Sequence, residues 1–109
     1  MNNYRNGGTD MLNINKKLEG EKLTISLEGR LDTTTAPQLE TMLKENIDGV
    51  TELIIDFEQL EYISSAGLRV LLSAQKTMSK QGTMKVIHVS DLIKEIFEVT
   101  GFIDILTIE

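Results

Sequence analysis

A chain of 109 residues has the length of one domain, because domains usually run to about 100 to 200 residues. Its composition, 40% hydrophobic and 26% charged, is that of a folded globular unit, and its net charge of −6 opposes the phosphate-backbone attraction on which nucleic-acid binding depends. With no cysteine there is no disulfide, thiolate zinc site or cysteine nucleophile, and a lone histidine, His88, does not by itself make a multi-histidine metal centre, so no metal and no other cofactor is expected.

The polar opening MNNYRNGGTD lacks the charged-then-apolar order of a signal peptide. Residues 1–10 therefore read as a flexible leader or a start-site artefact, and residues 11–109 as the domain. Apolar runs stay far below the ~18 residues that span a bilayer, so the expected setting is cytoplasmic, with no membrane span.

From Leu12 the apolar positions alternate through Ile14, and again through Leu23, Ile25 and Leu27, with the turn-prone Glu19-Gly20-Glu21 between the runs. This pattern predicts an opening β-hairpin with one wet face. Thr35-Ala36-Pro37-Gln38 offers a threonine cap with a glutamine three residues on, and Leu39, Met42, Leu43 and Ile47 follow at helical spacing. A helix is expected over 36–48.

Leu53, Ile54, Ile55 and Phe57 form a nearly continuous apolar run, as expected of a short central strand covered on both faces by helices. A second helix is predicted over 65–80, with Leu68, Leu71, Leu72 and Met78 on one side and Arg69, Ser73, Lys76 and Lys80 opposite. Leu39, Leu43, Leu68, Leu71 and Leu72 are assigned to the interior. Gln81-Gly82 ends that helix and a β-rich run covers 84–89. Ser90 then caps a third helix through Val99, and Gly101 precedes a final strand from Phe102. Strands alternating with helices predict an α/β domain whose sheet is mixed but mostly parallel, with the hairpin adding an antiparallel edge.

The stretch from Asp56 to Leu72 carries the functional signal: a buried strand gives way, through a loop, to Ser64-Ser65-Ala66-Gly67-Leu68 at a helix start. It resembles the STAS domain of bacterial anti-sigma factor antagonists, whose serine turn is commonly D-S-S-G-L, and Gly29-Arg30-Leu31-Asp32 resembles the family's loop after the second strand. The resemblance runs from Met11 to Glu109 and implies a STAS-like single domain. By this similarity Ser65 is the phosphorylated position, with Ser64 as the alternative, and Asp32 lies in the loop lining the same partner surface. Ser64 departs from the aspartate found in many relatives. The expected partner footprint comprises Asp32, Ser64, Ser65 and Gly67 with the exposed stripe Arg69, Ser73 and Lys76, since successive strand-to-helix loops meet at the carboxyl ends of parallel strands.

The residues themselves support phosphate at this place, since a helix's first turn presents free N–H groups and the positive end of its dipole. Phosphorylation adds about −1.5 to −2 charges and three acceptor oxygens. The bland alternatives are that a serine there is only an N-cap, that Asp32 only caps a turn, and that His88 only ends a strand.

Catalysis is not expected. Ser-Ser-Ala-Gly lacks the G-x-S-x-G elbow, no phosphate-binding glycine motif is present, and the scattered carboxylates form no acid–base pair. The resemblance implies a transcription regulator whose unphosphorylated form binds an anti-sigma factor with serine kinase activity. A serine phosphatase acting on the phosphorylated form restores the unphosphorylated one, and neither a nucleic-acid partner nor a membrane span is expected. A STAS scaffold or subunit of a stress-signalling or lipid-transport complex is the alternative.

Overall fold

The structure is a computed structural model that describes residues 12–109, so the leader expected over 1–10 lies outside the described residues, as does Met11. Strands β1 (Leu12–Glu19) and β2 (Lys22–Leu31) form the predicted antiparallel hairpin, joined by Gly20 and Glu21, with Glu19 facing Lys22 across the turn. On β2, Leu23, Ile25 and Leu27 are buried at every second position, which fixes its register against the core.

Helix α1 (Ala36–Asn46), strand β3 (Glu52–Ile63), helix α2 (Ser65–Met78), strand β4 (Thr83–Ile87) and helix α3 (Asp91–Thr100) complete the regular elements. The sheet order is β1-β2-β3-β4, with β2, β3 and β4 mutually parallel, so the expected mixed α/β sheet is present and β3 is interior. One buried cluster joins Leu23, Ile25, Leu53 and Ile55 of the sheet to Leu39 and Leu43 of α1, Leu71 of α2 and Phe97 of α3. The rings of Phe57 and Phe97 lie 6.2 Å apart.

Among the described residues all three helices therefore contribute to a core on one face of the sheet, rather than giving β3 the expected helical cover on both faces. Ile54 points to the other side, where its neighbours in register are Thr24 and Lys85. It is buried among strand side chains and stands outside the main cluster.

Two further expectations are corrected. The segment after Phe57 is strand rather than loop, because Gly29 pairs with Leu60 and Leu31 with Ile63 across two register shifts in the β2–β3 ladder. Those shifts break the apolar alternation, which hid the extension. The final strand is also replaced. Gly101 takes the left-handed conformation at φ +84 and closes α3, and a 3-10 turn follows over Phe102–Asp104. Beyond it the chain meets β4 at the single bridge between Val86 and Ile108, with Val86 N–H donating to Thr107 O and Glu109 N–H to Val86 O.

Helix ends differ by a turn or less. α1 stops at Asn46, whose side-chain amide donates to Met42 O at 2.7 Å, rather than at Asp48. α2 stops at Met78 rather than Lys80, as the Gly82 N–H turns back to Met78 O.

Candidate functional site: the paired starts of two helices

The loop after β2 is built by Asp32. Its Oδ1 accepts from Thr34 N–H at 2.9 Å and Thr35 N–H at 3.1 Å, and its carbonyl accepts from Ala36 N–H at 2.8 Å. The threonine capping box expected at Thr35 does not form. Thr35 is buried, and its hydroxyl donates to Arg30 O at 2.7 Å while accepting from Asp32 N–H at 2.9 Å. Asp32 orders the approach to the helix instead, its carboxylate holding the N–H groups of Thr34 and Thr35 just ahead of α1, whose N-cap has no side-chain hydrogen bond.

Asp32 Oδ2 also stands 3.7 Å from Arg30 Nε, with the Asp32 side chain 17% exposed. The Arg30 guanidinium lies over the Tyr62 ring at 4.4 Å. The bland reading of Asp32 accounts for these contacts: it shapes the loop that presents its neighbours.

The two serines divide their work. Ser64 is the N-cap of α2, in extended backbone, with Oγ accepting from Gly67 N–H at 3.4 Å and its carbonyl accepting from Leu68 N–H at 3.0 Å. Its own N–H donates to Leu31 O at 2.9 Å, which ties the start of α2 to the end of β2. A serine and an aspartate cap helices about equally well, so this role fits the departure from aspartate at that position. Ser65 is the first helical residue and is exposed, and its hydroxyl makes no hydrogen bond among the described residues.

Ser65, Arg69, Ser73 and Lys76 are all exposed and follow at intervals of four, four and three, so they lie along one outward row of α2. Leu72 belongs to the same row and is only half-buried, outside the core cluster, which corrects its assignment to the interior. Val70 and Ala74 take its place inside, facing α1. Gly67 is likewise buried: a Cβ there would stand 2.7 Å from Leu31 Cγ and 2.9 Å from Ile63 Cγ1. It packs α2 onto β2 and β3 rather than offering a surface to a partner.

A groove runs between the two helix starts, lined by Thr33, Ala36, Pro37 and Glu40 on one wall and Ala66, Arg69 and Val70 on the other. Of the expected footprint Arg69 lines this groove, while Asp32 and Ser65 are the chain neighbours of its residues Thr33 and Ala66. Thr33, Pro37 and Glu40 were not singled out by the sequence, and only the parallel pairing of β2 with β3 brings them there.

Just after β4, His88 sits at φ +56 with Nδ1 2.9 Å from Oδ1 of Asp56 in the middle of β3, and Glu58 N–H donates to the same oxygen at 2.9 Å. Ligand atoms of Asp56, Glu58 and His88 lie within 4.8 Å of one another. The hydrogen bond to Asp56, then its negative charge, raise the His88 pKa above 6.5, which favours the protonated ring beside that carboxylate. His88 follows β4 directly, as expected.

The STAS domain family model matches residues 13–109, and this chain belongs to that family. BtrV of Bordetella bronchiseptica, which bears the name of an anti-sigma factor antagonist, is 35% identical over 94 residues, 84% of this chain and 80% of its own. An anti-sigma factor antagonist from Mycobacterium paratuberculosis shares the fold with a TM-score of 0.83 at 22% identity, over 91% of this chain and 86% of its own. The Bacillus cell fate determinant SpoIIAA in its phosphorylated form gives 0.71 at 21% identity, over 89% of this chain and 91% of its own. No helix among the described residues is long and apolar enough to cross a membrane.

Proposed function

We propose that this chain is an anti-sigma factor antagonist that regulates transcription by phosphorylation-controlled partner switching. The observation that carries the reading is the division between Ser64, held in the cap, and Ser65, exposed beside the groove. Family membership and the names of the relatives supply the class of partner.

In this reading the unphosphorylated chain lays the groove and the outward row of α2 against an anti-sigma factor with serine kinase activity, which releases the sigma factor. The kinase transfers the γ-phosphoryl group of ATP to Ser65 Oγ; the bond to the β-phosphate oxygen breaks, the hydroxyl proton leaves, and ADP is the product. A serine phosphatase uses water to return the hydroxyl and release phosphate. Phosphorylation ends the contact because hydrated charge enters a surface that binding would desolvate.

The test is to incubate the full chain with the kinase-type anti-sigma factor of its own cell and ATP, then locate the phosphate by mass spectrometry. One phosphate on Ser65, retained in Ser64→Ala and lost in Ser65→Ala, is the expected outcome. Calorimetry should give weaker binding for the phosphorylated chain. Equal affinity of both forms rejects partner switching.

A further inference from the structure

We propose that Arg69 is the phosphate-holding residue of the switch: once Ser65 carries phosphate, the Arg69 guanidinium bonds to it within the same chain. This inference rests on Ser65 being the modified residue and adds what happens to the phosphate afterwards.

Ser65 and Arg69 are both exposed and are separated by one helical turn, where Cβ atoms stand about 5–6 Å apart. That gap suits a phosphoserine and an arginine, whose planar fork offers two parallel N–H donors to two phosphate oxygens. The other cations near the serine turn are less suited. Arg30 is committed to the Tyr62 face and the Asp32 carboxylate. Lys76 is eleven residues along the helix from Ser65, about 16 Å at 1.5 Å per residue. Arg69 is not locked elsewhere: the acidic residue sharing its groove, Glu40, has its carboxylate 3.9 Å from Lys44 Nζ.

The capture gives phosphorylation two effects on one surface. It adds charge at Ser65, and it withdraws from the groove wall the one cation that a partner's carboxylate would meet there. The affinity lost on phosphorylation is therefore partly the loss of Arg69. In Arg69→Gln, where no guanidinium is available to either phosphate or partner, phosphorylation should reduce affinity by a smaller factor than in the wild type.

The decisive experiment places phosphoserine at position 65 of the full chain by genetic code expansion, which makes it independent of any kinase. The second ionisation of the phosphate, normally near pH ~6, is then followed by phosphorus NMR. A guanidinium partner favours the dianion, so the midpoint should fall by about half a unit or more in the wild type and return toward ~6 in Arg69→Gln, with Arg69→Lys between them. The Arg69 Nε resonance should shift on phosphorylation as well. Identical phosphate midpoints in wild type and Arg69→Gln would overturn the capture. Failure of the cognate kinase to modify Ser65 is a separate result, which rejects the switch reading and is read from the mass spectrum rather than the titration.

Discussion

The imidazole of His88, just past the end of β4, and the carboxylate of Asp56, in the middle of β3, meet at 2.9 Å although 32 residues separate them. The hydrogen bond and charge of Asp56 favour the protonated ring, with a smaller contribution from Glu58, and together they outweigh desolvation. A folded-state pKa raised above the unfolded value gives stability that is fully present below about pH 6.5 and is lost as pH rises through the folded pKa. The His88 ring protons should titrate above 6.5 by NMR, and Asp56→Asn should lower that midpoint. The stability difference between wild type and His88→Gln should shrink from pH 5.5 to pH 8.5 in denaturant titrations. A midpoint indifferent to Asp56→Asn means the pair is not formed in solution.

Gly67→Ala is expected to destabilise the fold despite putting a better helix former into α2. The propensity gain is at most about 1 kcal/mol, whereas forcing a methyl 2.7 Å from Leu31 Cγ in a filled core costs about 1–3 kcal/mol. Leu31 is fully buried and has little room to yield. Chemical denaturation should therefore give a lower midpoint, and a midpoint equal to the wild type would mean that the helix start is looser than described.

Ser64 and Ser65 should separate cleanly on mutation. Ser64→Ala removes the acceptor for Gly67 N–H and should cost about 1 kcal/mol, while Ser64→Asp restores it. Ser65→Ala, with no such bond to lose, should leave stability within about 0.5 kcal/mol. Thermal melts of the three variants check this, and a large loss in Ser65→Ala would assign it a structural role.

A carboxylate at Ser65 tests the interface without a kinase. Ser65→Asp gains about 0.3–1 kcal/mol from the helix dipole yet should weaken partner binding, less than true phosphoserine does because it carries one charge and no tetrahedral oxygens. Arg69→Glu should also weaken binding while changing stability by less than about 0.5 kcal/mol. Calorimetric titration beside melting curves distinguishes the two effects, and unaltered affinity in both variants would move the interface away from α2.

What could be read from the sequence follows from the range of the forces involved. The hairpin, the three helices and the Ser90 cap, where Oγ accepts from Ile93 N–H at 3.3 Å, depend on neighbours within a few residues and were legible. The late half of β3 was not, since its strand state depends on bonds to Gly29, Arg30 and Leu31 rather than on its own pattern. Thr35 looked like a cap because a string of letters does not reveal that its side chain is drawn inward to Arg30 O. Leu72 looked like core because helical periodicity gives a face but not its width. The serine turn was found, but its wall of Thr33, Pro37 and Glu40 needed the sheet to assemble it.

The Val86–Ile108 bridge makes the two sides of the sheet unequal. The outer groups of β4 bonded to Thr107 and Glu109 are taken up within the chain, so an incoming strand finds that border occupied at Val86. Among the described residues the opposite border is β1, where Lys16 and Lys17 are exposed, one on each face of the strand. Charged lysines on a free border oppose the stacking of copies into extended ribbons, since each added chain would crowd like charges together. Blockage at one border and charge at the other both lie on parts of the sheet outside the groove, and both leave the exposed row of α2 clear.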